Sequence, residues 1–212
     1  MKAVLKECLM STKRSLEREL LERAFGWLIK VLASRDVNPF YLTYGGLVLA
    51  VFASLLYTIS RGDSLLVALG GVALMASGLF DAVDGAIARR TGRESPFGSF
   101  VDSLSDRAAD VIVTVGIWYS GTVDTLLAIL TLTASLLVSY IRAKAESLGV
   151  RMEGIGIVER GERIILLALG SLLYWVHGYV IQVVFLIILI TSCVTIAQRC
   201  LFAYRSLSGR AR

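Results

Sequence analysis

Four aspartates carry most of the chemistry this chain can do, and they fall within one short stretch, DAVDGAIARRTGRESPFGSFVDSLSD at residues 81–106. Asp81, Asp84, Gly85 and Ala88 recur at i, i+3, i+4 and i+7, one face of a helix. Gly98, Asp102 and Asp106 recur at i, i+4 and i+8, one face of the next helix. Gly92 and Pro96 mark a short turn between them, so the two helices are expected to be antiparallel neighbours. Converging carboxylates are costly without positive charge among them. An all-oxygen set with no His or Cys nearby suits Mg²⁺ or Mn²⁺ rather than zinc. Paired ions of this kind bridge diphosphate oxygens and stabilise charge on a leaving phosphate. Asp81, Asp84, Asp102 and Asp106 are therefore candidate metal ligands. Gly85, Ala88 and Gly98 leave space for a ligand close to the backbone, and Arg89 can pair with a phosphate oxygen. Taken singly, a DxxD is more often a solvated face, and small residues more often mark helix packing. Asp110 continues the second stripe one turn deeper; it reads as a further site residue or, preferably, as a partner for a nearby donor.

The elements that must hold these groups are membrane helices. Of 212 residues, 56% are hydrophobic and 18% charged, against about 25% charged in an ordinary soluble domain. Mean hydropathy is +0.70. Three cysteines without a CxxC exclude a disulfide framework and a thiolate metal site. Uncharged runs predict spans at residues 40–59, from 64 through 80 with a helical continuation to 90, and from 125 to 141 with an extension to 146; a further span from 96 to 120 has its charges concentrated in its first half. The last uncharged run, residues 164–198, would be about 52 Å long as one helix. His177-Gly178 breaks it into two, which makes six spans.

Of the 22 Lys and Arg, all but Arg61 then fall on one side. The positive-inside rule places both termini in the cytosol. The net charge of +5 is thus a matter of topology, and no nucleic-acid partner is expected. Residues 12–35 carry Leu16, Leu20, Trp27, Leu28 and Val31 at helical spacing among charges, as in an amphipathic helix at the cytosolic interface. Residues 1–35 lack the apolar core of a cleavable signal. The expected architecture is an all-α integral membrane protein of the cell membrane. Its N-terminal interfacial segment covers residues 1–36, and its six-helix membrane domain covers 37–212.

The string Asp81-x2-Asp84-Gly85-x2-Ala88-Arg89-x8-Gly98-x3-Asp102-x3-Asp106 resembles the CDP-alcohol phosphotransferase signature at every fixed position. The resemblance implies transfer of a substituted phosphate from a CDP-linked lipid to an alcohol, with release of CMP. It assigns divalent metal to Asp81, Asp84 and Asp102, and the role of general base to Asp106. It implies a cytidine diphosphate pocket lined by Asp84, Gly85, Ala88, Arg89 and Gly98, and a homodimeric assembly. Asn38-Pro39 to Thr43 is similar to the family's approach to the first span, with irregular spacing.

The acceptor is read from residues 139–164 and 196–199. SYIRAKAE, GIVERGER and IAQR resemble the inositol-phosphate branch of the family. That likeness implies that Arg142, Lys144, Arg160 and Arg199 hold the phosphate of myo-inositol 1-phosphate, a phosphorylated polyol. The same charges also serve the positive-inside rule. Glycerol 3-phosphate is the alternative acceptor; serine would not call for so many cations. A different class, a small ion-coupled transporter, predicts polar residues throughout the spans. The outer halves, such as residues 112–118 and 126–132, are instead apolar.

Overall fold

The computed structural model describes residues 39–208 except 153, and ahead of them residues 23, 25–27, 29–31 and 34. Six helices follow one another: α1 Pro39–Ser60, α2 Ser64–Thr91, α3 Pro96–Tyr119, α4 Thr125–Ser147, α5 Arg160–Leu172 and α6 Val180–Ser208. No strand occurs among the described residues. Every expected span has its helix, and the break at His177-Gly178 falls in the turns between α5 and α6.

Local chemistry sets the boundaries. Asp63 caps α2 by accepting from the Leu66 amide at 3.0 Å. Gly92 ends α2 in the left-handed region at φ 66°, which a side-chain-bearing residue adopts at a cost. Three residues later Ser95 caps α3, accepting from the Gly98 amide at 3.0 Å, with Pro96 in the first turn. Asp124 caps α4 through the amides of Leu126 and Leu127. Glu159 and Glu162 form a capping box at the start of α5.

α1 packs against α2 and α3, α2 against α5, and α6 against α4 and α5. The shared core includes Ala53, Tyr57, Val67, Leu74, Val113 and Phe185. Tyr57 is fully buried, and its hydroxyl shares a 2.7 Å hydrogen bond with Ser171 Oγ, tying α1 to α5. Ser77 donates to the Gly46 carbonyl at 2.7 Å, tying α2 to α1. α2 passes close to α5 at Gly71, where an added Cβ would lie 2.6 Å from Ser171 Cβ and 3.0 Å from the Ala168 carbonyl. Ahead of α1, the described residues at 23–34 are helical. Ile29 is buried against Val83 and Ile87 with Phe25 beside it, while Trp27 is 77% exposed. Leu16, Leu20 and Leu28 of the expected amphipathic stripe lie outside the described residues.

The outward faces carry large apolar side chains, among them Val48, Phe52, Leu55, Leu69, Ile129 and Ile190. Burial inside and apolar exposure outside are what a hydrocarbon solvent selects. Four helices are long and apolar enough to cross a membrane: Phe40–Ser60, Ser64–Thr91, Thr125–Ser147 and Val180–Ser208. α3 differs because Asp102, Asp106, Arg107 and Asp110 fall within its first fifteen residues. α5 differs because its 13 residues reach only about 20 Å.

Gly71→Leu should force α2 and α5 apart and cost about 1–3 kcal/mol of overpacking. The check is the thermal midpoint of the detergent-solubilised protein, which should fall; an unchanged midpoint would contradict the close approach.

Candidate active site

The α2–α3 hairpin carries the aspartates. Gly92 and Ser95 turn the chain within a few residues, so the last turns of α2 face the first turns of α3. Asp81, Asp102 and Asp106 each offer one oxygen, and these three oxygens lie within 4.8 Å of one another. The cluster is half-buried and made only of hard oxygen donors, which fits a divalent cation such as Mg²⁺ or Mn²⁺. Asp84 stands apart from this triple. It is only 5% exposed and accepts a 2.6 Å hydrogen bond from Thr43 Oγ1 of α1.

Asp84 and Asp102 border a cavity of about 540 Å³, a volume suited to a nucleotide-sized ligand. Gly85, Ala88, Arg89 and Gly98 line the same cavity. The five residues expected around cytidine diphosphate thus share one chamber. Phe40, Thr43, Arg93 and Ser95 line it as well. Phe40 and Thr43 fall in the Asn38-Pro39 to Thr43 stretch, a weak signal; Arg93 and Ser95 occupy variable positions inside the signature.

The basic residues divide. Arg160, at the start of α5, reaches into the carboxylates: Nη1 lies 2.6 Å from Asp106 Oδ1 and 3.1 Å from Asp81 Oδ2, and Nε donates to Asp110 Oδ1 at 3.2 Å. Arg107 Nη1 is 3.4 Å from Asp106 Oδ2. Arg163 Nη2 is 3.5 Å from Asp110 Oδ2, so Asp110 partners donors as expected. Arg142 pairs with Glu146 along α4 at 3.0 Å, and Lys144 is exposed. Arg199 is 4% exposed, and its Nε and Nη1 donate to the carbonyls of Ile155 and Val138 at 2.7 and 2.6 Å. Of the four expected phosphate-holding cations, Arg160 alone is paired with the signature aspartates; Arg199 braces the loop between α4 and α5.

This arrangement can hold a divalent ion, seat a nucleotide against it, and present a carboxylate flanked by guanidinium groups to an incoming hydroxyl. The sequence model of CDP-alcohol phosphatidyltransferases matches residues 37–197. The chain belongs to that family. Among family relatives, the archaetidylinositol phosphate synthase of Methanothermobacter thermautotrophicus is 39% identical over 181 residues, 84% of this chain and 90% of that protein. A crystal structure of Mycobacterium tuberculosis phosphatidylinositol phosphate synthase with CDP-DAG bound superposes with a TM-score of 0.72 at 26% identity. The match covers 86% of this chain and 94% of that one. The same mycobacterial synthase in complex with manganese and citrate gives a TM-score of 0.69 at 26% identity, covering 84% of this chain and 87% of that one.

Arg199→Ala strips the donor from the buried Ile155 carbonyl in the loop, costing about 1–3 kcal/mol when left unpaired, while the Val138 carbonyl keeps its partner within α4. The expected outcome is faster hydrogen exchange and proteolysis within residues 148–159. Unchanged protection of that loop would refute the bracing role.

Proposed function

We propose that the protein transfers a phosphatidyl-type group from a CDP-linked lipid, carrying diacylglycerol or archaeol tails, to myo-inositol 1-phosphate. The products are an inositol-phosphate phospholipid and CMP. The observation that carries this reading is the meeting of the three-carboxylate cluster with a nucleotide-sized cavity that collects the remaining signature residues. The CDP-DAG bound to the mycobacterial relative supports the donor, and the names of the relatives support the acceptor.

Asp81, Asp84, Asp102 and Asp106 would hold divalent metal, Mg²⁺ or Mn²⁺ and most simply two ions. Such ions, when bound, neutralise the diphosphate and the departing CMP. The chain's own residues do the rest. Gly85, Ala88 and Gly98 let the cytidine diphosphate approach the backbone, while Arg89 pairs with a phosphate oxygen. Asp106 accepts the proton from the acceptor hydroxyl as its oxygen bonds to the lipid-bearing phosphorus and the bond to CMP breaks. Arg160 holds the acceptor phosphate beside Asp106. Arg142, Lys144 and Arg199 complete the acceptor's electrostatic surroundings from α4 and α6.

The reading includes six crossings with both termini in the cytosol, α3 and α5 crossing through their apolar parts. It also includes an interfacial segment over residues 1–36, a catalytic domain over 37–212, and a homodimer. The uneven distribution of Lys and Arg supports the orientation.

Release of CMP from a CDP-linked lipid with Mg²⁺ or Mn²⁺ should require inositol 1-phosphate when free inositol, serine and glycerol 3-phosphate are offered separately. Release with glycerol 3-phosphate alone would keep the chemistry and change the acceptor. Asp106→Asn should abolish turnover while donor binding persists, and loss of donor binding as well would remove its role as base. Arg160→Ala should raise the acceptor KM at least tenfold, roughly the cost of a lost charge-assisted contact, with a smaller change for the donor. A donor-only effect would refute the phosphate contact.

A further inference from the structure

Arg160 serves two sets of carboxylates at once. Its Nη1 bridges Asp106 and Asp81, while its Nε is bound to Asp110, one turn deeper on α3. Asp110 is not one of the three carboxylates whose oxygens can share a cation. Its other oxygen faces Arg163, whose side chain is 7% exposed and whose Nη1 is buried without a hydrogen-bond partner. Both guanidinium groups line an interior cavity whose polar lining includes Ser77, Thr114, Thr131 and Ser135. Asp110 therefore acts behind the site, on the far side of Arg160 from the signature aspartates.

We propose that Asp110 is a positioning residue for Arg160, holding its guanidinium back so that Asp81 and Asp106 stay available to a divalent cation. The inference rests on the metal-dependent reading given above. A guanidinium is a rigid planar fork, and its strongest contact with carboxylates uses two nitrogens in parallel. With Nε committed to Asp110, Arg160 meets Asp81 and Asp106 through Nη1 alone. Such a single-nitrogen contact yields to a doubly charged ion. Without Asp110, the fork turns to present two nitrogens to the signature aspartates, and the cation meets a stronger competitor. Arg160 then becomes an inhibitor of the site it serves.

The test is Mn²⁺ binding to the full chain in detergent, followed by electron paramagnetic resonance without donor or acceptor. The variants are Asp110→Asn, Arg160→Ala, the double substitution and Asp110→Glu. Asp110→Asn should weaken Mn²⁺ binding by about tenfold, the lower end for residues that orient a metal site from behind. Arg160→Ala should tighten binding, and the double variant should bind as Arg160→Ala does. Asp110→Glu, which keeps the charge, should stay near the parent. An equal loss from Asp110→Asn with and without Arg160 overturns the proposal, because charge alone would then explain it. A fall in thermal midpoint that tracks lost Mn²⁺ binding in every variant, Asp110→Glu included, makes Asp110 structural and also overturns it. A parent that binds no Mn²⁺ removes the metal reading and this inference together; a parent that binds, with no effect dependent on Arg160, removes this inference alone.

Discussion

Negative charge held at the ends of membrane helices is the constraint on which the rest depends. Asp81, Asp84, Asp102, Asp106 and Asp110 lie on two consecutive helices, all of them at least partly buried, and each needs a donor or a cation. The protein answers four of the five with side-chain donors. Thr43 serves Asp84, Arg160 serves Asp81, Arg107 and Arg160 serve Asp106, and Arg160 with Arg163 serves Asp110. These compensations come from α1, α3 and α5, so the charge requirement recruits much of the bundle. The donors are also incomplete by design: three carboxylates share little more than one guanidinium nitrogen, which leaves capacity for an ion of higher charge.

Holding those partners in place cannot rely on the hydrophobic effect between helices, because lipid tails solvate leucine as well as another helix does. Close approach and hydrogen bonding take over. Ser54 donates to the Ile112 carbonyl, Ser77 to that of Gly46, and Tyr57 meets Ser171, each across a helix boundary. Gly71 lets α2 come near α5, and that pair is the one that brings Arg160 to Asp81. Packing in the middle of the bundle thus sets distances at its functional end.

The aspartate stripes were legible in the sequence because a helical period of three and four residues repeats in the chain itself. So were the helix limits, since apolar runs stop at charged and turn residues adjacent in the chain, where Asp63, Ser95 and Asp124 then cap the next helix. Contacts that join distant segments were not. Arg160 and Asp110 are fifty positions apart, and no local pattern distinguishes Arg160 from Arg142, which spends its charge on Glu146. Arg199 read as one more cation, yet its partners are backbone carbonyls, which every residue possesses and none advertises. α3 read as a span from its apolar second half, although its charged part keeps it from meeting that standard by composition.

The length of α2 has a consequence of its own. Its 28 residues extend about 42 Å, roughly 12 Å more than the apolar thickness of a typical bilayer. Measured from Ser64, the surplus is about the last two turns, from Asp84 onward, with Asp81 just short of it. Site depth is therefore tied to bilayer thickness: a thicker membrane draws the carboxylates toward hydrocarbon, and a thinner one lifts them into the headgroup region. Chain length and tilt then join the donor's headgroup as variables the protein senses. An enzyme that makes membrane lipid in this geometry works at a level set by the membrane it builds.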